Sequence, residues 1–148
     1  MRVMVITKGD GADEGKGQPT TEMFEKMRAF NEQLVNAGIM LGGEGLQPSG
    51  AGARVAFSNA GTSVVDGPFT ESKEVIAGYW IWEVSSLAEA VEWARRCPFD
   101  AAYGETQVLE IRPLFDMADF AETVDGETLA RSEELHDRAS TESSPSHG

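Results

Sequence analysis

The chain has 148 residues, of which 41% are hydrophobic and 25% charged, and its formal net charge is −13. That length suits one domain around a single core, and so acidic a balance argues against nucleic acid, whose phosphates are held by clustered Lys and Arg. The single cysteine, Cys97, excludes an internal disulfide and fits a reducing compartment.

The opening run Met1-Arg-Val-Met-Val-Ile is far shorter than a signal-peptide core, and no stretch nears the roughly 20 apolar residues that span a bilayer. A cytoplasmic protein with no membrane partner is expected. The charge is uneven: residues 116–148 hold nine acids against two bases, so −7 of the −13 sits there. The expected organisation is a domain over residues 1–120 followed by an acidic, largely disordered tail over 121–148. Within that tail, Asp125 to Ala139 allow a short amphipathic helix, with Leu129 and Leu135 as its large apolar groups.

Val3 to Ile6 is apolar at successive positions and reads as a strand buried on both faces. After a polar loop, Pro19-Thr20-Thr21 opens a helix with Thr as its cap and Glu22 and Glu25 near its positive end. Met23, Met27, Phe30, Leu34 and Ala37 form one apolar stripe, and Gly38 closes the helix. Ile39 to Leu41 is a short strand that runs into the glycine-rich stretch Gly42 to Pro48. Arg54 to Phe57 and Ser63 to Val65 are strands around the turn Asn59 to Thr62, and Asp66-Gly67-Pro68-Phe69 is a compact turn. Val75 to Val84 is the longest strand. Ser86 and Glu89 make a capping box for a helix with Leu87, Ala90, Val91 and Ala94 on one side, stopped by Pro98. Gln107 to Arg112 is the last strand. Two βαβ-like crossovers around an antiparallel sheet predict an α+β, ferredoxin-like βαββαβ-type sandwich with both helices on one face.

Alternation along Val75–Val84 puts Ile76, Gly78, Trp80, Trp82 and Val84 on one face and Val75, Ala77, Tyr79, Ile81 and Glu83 on the other. Both faces are apolar, and two helices cover one. The other would leave an exposed patch of several hundred Å², roughly the upper limit for a soluble monomer. A second copy of the sheet is the expected cover, making a homodimer. The alternative is the chain's own end, through Leu114, Phe115, Met117 and Phe120.

Gly43-Glu44-Gly45-Leu46-Gln47-Pro48-Ser49, then Val65 to Glu74, then Ala77 to Trp82, and finally Arg96-Cys97-Pro98 occur in an order and spacing that resembles the DGPF-type, YCII-related family from Met1 to about Phe120. The resemblance implies a dimeric ferredoxin-like α+β barrel. It names no reaction, although a His–Asp pair in the wider group has suggested enzymatic function. Many members are encoded near or joined to sigma factors of the extracytoplasmic-function class, which makes a sigma factor a candidate partner. Relatives often carry His where this chain has Gln47, and the two histidines here, His136 and His147, both lie in the tail.

Asp66 is the candidate catalytic residue, a turn carboxylate beside aromatic strand residues that would serve as a general acid or base; its other role is to accept backbone N–H bonds within the turn. Lys73 would pair with Asp66 or hold an anionic ligand, or belong to a solvated loop. Glu44 and Gln47 would supply polar contacts where glycines let the backbone approach a ligand, although such a stretch is also how a strand bends. Arg54 is an anion clamp or an outward-facing strand residue, and Trp80 walls a small-molecule pocket or packs in the core. Cys97, before Pro98, is a structural thiol rather than a nucleophile. One cysteine and no histidine before the tail leave carboxylate ligands alone, without calcium-loop spacing, so no metal and no cofactor are implied.

Overall fold

A computed structural model describes residues 1–10, 19–69, 74–99 and 107–142. It divides into two compact units, Met1–Pro113 and Leu114–Gly148.

The first unit is built on four strands: β1 (Arg2–Asp10), β2 (Met40–Gly45), β5 (Glu74–Glu83) and β6 (Gln107–Pro113). They lie in the order β2-β5-β1-β6, each antiparallel to its neighbour. With α1 (Thr21–Asn36) between β1 and β2, and α2 (Leu87–Ala94) between β5 and β6, this is the ferredoxin-like arrangement. A separate two-stranded sheet, β3 (Ala53–Ser58) and β4 (Gly61–Asp66), is inserted between β2 and β5.

Helix α1 starts where Thr20 Oγ1 accepts the Met23 N–H at 3.2 Å, and it ends at Gly38, whose φ of 73° is the left-handed conformation that glycine tolerates best. The predicted stripe is half used: Phe30 and Leu34 are buried and Met27 packs beside them, whereas Ala37 is exposed. Helix α2 is capped by Ser86, which accepts the Glu89 N–H at 3.1 Å, while the Glu89 carboxylate reaches back to the Ser85 N–H. Its packed side differs from the expectation. Ala90, Trp93 and Ala94 meet the core, and Leu87 and Val91 are exposed. The large Trp93 ring sets the rotation of this short helix, because turning Leu87 inward would bring Trp93 out.

Both helices share one core with the sheet: Val3, Val5, Phe30, Leu34, Ile39, Trp80, Trp82, Val84 and Ala90. Pairing of Val3 with Trp82 and of Val5 with Trp80 puts these strand residues on a single side. Phe30 meets both indoles edge-on, with ring centroids 6.0 and 6.4 Å apart, and the indoles lie 5.8 Å from each other. Each buried aromatic removes about 150–250 Å² from water, so this trio dominates the core.

Simple alternation fails at one end of β5. Thr7 pairs with Gly78 and Lys8 with Ile76, so Ala77 has no partner in β1 and forms a bulge. Ile76 therefore joins the side opposite the helices, where it is 47% exposed, rather than the Trp80 side the sequence pattern gives it.

In the second unit a 3-10 turn at Met117–Phe120 precedes α3 (Gly126–Glu142). Asp125 caps α3 by accepting the Thr128 N–H at 2.9 Å and its hydroxyl at 2.8 Å. This helix of 17 residues matches the helix expected over Asp125 to Ala139 and runs three residues beyond it. Its outward charges pair along the helix, as Arg131 and Glu127 do at 2.9 Å.

Candidate functional site

The sheet side away from α1 and α2 is the candidate site. Register places Met4 beside Ile81 and Ile6 beside Tyr79, and carries the row from Glu44 through Tyr79 and Ile6 to Glu110 across all four strands. Lys8 stands next to this row, flanked by Ile76 and Val108. Its Nζ lies 3.0 Å from Glu110 Oε1, and Arg112 Nη1 approaches the other oxygen at 3.8 Å. The hydrogen bond from Lys8, helped by the positive charges of Lys8 and Arg112, lowers the Glu110 pKa from its ordinary 4.5. Arg2 stands opposite Glu83 in the register at the far end of β1 and β5, and the Glu83 carboxylate meets the Met1 amino group at 3.2 Å. The open face is thus an apolar field of Met4, Ile6, Ile76, Tyr79, Ile81 and Val108, crossed by charges of both signs.

The residues singled out from sequence are distributed over several places. Glu44 is exposed on the open face opposite Tyr79. Trp80 is on the other face: it is buried, and its Nε1–H donates to Asn31 Oδ1 at 2.9 Å. Since β5 alternates, Trp80 cannot line the face that carries Glu44, and its pocket-wall role gives way to a core role. Of the glycines around Glu44, Gly43 serves packing, while Gly42 and Gly45 face open space. A Cβ on Gly43 would stand 2.8 Å from Trp80 Cδ1 and 2.9 Å from the Tyr79 carbonyl, so the bare backbone makes room for the indole. Beyond them, Gln47 is exposed on the connection from β2 to a 3-10 turn at Ser49–Ala51.

Asp66 ends β4 opposite Ala53, whereas Arg54 pairs with Val65, so the two charged residues occupy opposite sides of the hairpin. The Arg54 guanidinium sits 3.9 Å from the centroid of the Phe69 ring, a cation–π contact. Gly67 is the closest approach in this region. Its N–H donates to the Gly52 carbonyl at 3.0 Å, and a Cβ there would fall 1.7 Å from the Ser49 carbonyl oxygen. The Asp66-Gly67-Pro68-Phe69 turn is thereby pinned to the chain that leaves β2, which carries Gln47. Lys73 lies outside the described residues. Sequence reasoning passed over Lys8, Tyr79, Glu110 and Arg112 as a group; the pairing of β1 with both β5 and β6 is the signal that unites them, and it is not local in sequence.

A model of the YCII-related domain matches residues 1–117. The chain belongs to the YCII-related family. Among its curated relatives is an uncharacterized protein of Rhizobium meliloti (strain 1021), 35% identical over 92 residues, which amount to 62% of this chain and 73% of that one. The family match spans the whole four-stranded unit, including both helices and the inserted hairpin.

Away from the open face, Cys97 has a large pKa displacement: burial pushes its thiol up to about 12, against a smaller opposing effect of a backbone hydrogen bond at Phe99. Among the described residues no three His, Cys, Asp or Glu side chains gather as metal ligands. No helix there is long and apolar enough to cross a membrane.

Proposed function

We propose that this YCII-related chain acts as a homodimer whose open sheet faces turn toward each other and hold a small molecule near the Asp66-Gly67-Pro68-Phe69 turn. The observation that carries this reading is the apolar sheet face left bare by both helices, with Glu44, Lys8, Glu110 and Arg112 standing in it. Apolar surface of that extent favours a partner, and a concave apolar space with a few polar groups is what a small ligand needs. Asp66 is the candidate acid or base, with Glu44, Gln47, Arg54 and Lys73 as candidate polar contacts. Sedimentation at micromolar concentration, followed by native mass spectrometry of the purified protein, tests both halves. A dimer that carries a retained small-molecule mass, weakened by Asp66→Ala without loss of fold, is the expected result. A monomer at tens of micromolar overturns the paired site, and a dimer with no bound mass and no thermal shift across a broad metabolite panel overturns the ligand.

A second reading is a non-catalytic regulatory module that binds a sigma factor of the extracytoplasmic-function class. It is favoured by the placement of both histidines, His136 and His147, near the acidic C-terminal end, which leaves residues 1–135 without an imidazole. Co-purification of such a sigma factor with the full chain, lost on removal of residues 121–148, is its expected signature; no retention by the full chain overturns it.

A further inference from the structure

We propose that the β3–β4 hairpin is an arm that crosses to a second copy of this chain and lays its Val55, Phe57 and Val64 side on that copy's open sheet face. The inference rests on the paired reading above and adds what one copy contributes to the other.

Every residue of both hairpin strands is exposed. Cross-strand pairing of Val55 with Val64 and of Phe57 with Thr62 gathers three large apolar groups on one side, where Val55 is 54%, Phe57 79% and Val64 68% exposed, and leaves Val65 on the other. A lone two-stranded hairpin is marginal in water, and three or more strands or a packed face are needed to hold it. The base is nevertheless fixed: Gly67 bonds to Gly52, abuts Ser49, and Arg54 covers Phe69. A hairpin with a firm root and a bare apolar side is built to be covered by something other than the chain segment it grows from.

Three quantities favour a second copy as that cover. Taking ~150–200 Å² for a fully exposed large apolar side chain, Val55, Phe57 and Val64 on the hairpin and Ile76 and Val108 on the open face leave roughly 450–600 Å² of bare apolar surface, over half of the ~800 Å² that each partner buries in a standard interface. Strands of six residues extend about 20 Å, and four strands at ~4.8 Å spacing measure about 14 Å from first to last, so the arm is long enough to cross the sheet. Charge does not oppose the contact. The Val55 side of the hairpin carries Asp66, with Arg54 on the other side, and among the described side chains the open face balances Arg2, Lys8 and Arg112 against Glu44, Glu83 and Glu110. Two copies of an acidic chain meet there without net repulsion. A two-fold axis satisfies both bare surfaces at once, each copy giving an arm and receiving one.

The test places the photo-crosslinker p-benzoylphenylalanine at position 57 of the full chain, co-refolds isotopically heavy and light copies, irradiates them, and identifies the joined peptides by mass spectrometry. Mixed heavy–light products joining position 57 to peptides that contain Met4 or Ile81 are expected. Alongside, Phe57→Asp is expected to weaken the dimer at least tenfold in sedimentation, while Phe24→Asp, on the exposed side of α1, leaves it unchanged. A dimer that yields only same-chain products, or products with residues 114–148, overturns the arm and leaves the paired sheets standing. A monomer overturns both.

Discussion

Individual side chains here are explained by what stands closest to them. Gly67 is the sharpest case, since any Cβ would collide with the Ser49 backbone rather than with a side chain that can swing away. Overpacking against backbone costs roughly 1–3 kcal/mol or more. Gly67→Ala is therefore expected to lower the unfolding free energy measured in urea by that amount and to release the turn from Ser49, whereas Gly45→Ala, with nothing within 4 Å, costs less. The DGPF-type motif made Gly67 visible in the sequence, but its reason was not: the obstructing carbonyl lies 18 residues earlier and comes near through the return of the hairpin. Cys97 shows the same division. Its helix-end position already argued against a thiolate, and burial supplies the stronger cause. With the thiol held near 12, alkylation by iodoacetamide at pH 8 is expected to run far slower on the native chain than in denaturant, and comparable rates in the two would refute the protected thiol. Trp82 has a fully buried Nε1–H with no acceptor among the described residues, next to Trp80, whose N–H is met by Asn31. Removing the Asn31 acceptor would leave a second indole donor unmet in the same core.

Elements were legible wherever the cause is local. Caps and hydrophobic stripes located α1 and α2 within a few residues, and the Asn59–Thr62 turn located the hairpin, because each depends on atoms close in sequence. Ser86 illustrates how firm such a signal is: its hydroxyl accepts the Glu89 N–H, and Glu89 returns the contact to Ser85. Ser86→Ala is expected to destabilise the first unit by about 1 kcal/mol, read as a fall in thermal midpoint, and Ser86→Asp to restore most of it. Features that need a second strand were not legible. The bulge at Ala77 arises from the pairing of β5 with β1, and it moves Ile76 across the sheet in defiance of simple alternation. The inward side of α2 was missed for a related reason, since eight residues give too few turns for periodicity to outvote one large ring at Trp93. Helix α3 was legible to within three residues although its sequence is polar on nearly every side, and its N-cap at Asp125 and its paired charges are its clearest marks.

At the scale of the whole molecule, the two-faced β5 announced in sequence that one sheet side lacks a cover, and the structure shows both helices on the Trp80 side and an open face opposite. It is the makeup of that open face that sequence alone concealed, because Lys8 and Glu110 are 102 residues apart. Their pairing gives the open face a pH dependence whose sign follows from the direction of the shift. Glu110 has a lower pKa folded than unfolded, so its charge stabilises the fold in full above the ordinary glutamate value of 4.5, and that contribution is lost as pH falls through the lowered folded value. Glu110→Gln removes the charge at every pH and retains the shape. The variant is therefore expected to unfold at lower urea than the parent at pH 7, with the gap closing steadily below about pH 4.5, where the parent becomes protonated as well. Lys8→Met, which leaves Glu110 to Arg112 alone at 3.8 Å, is expected to flatten the same acid limb. A gap that stayed constant from pH 7 to pH 3 would mean that Glu110 acts through packing rather than charge, and the open face would then lose the ion pair on which its electrostatic balance depends.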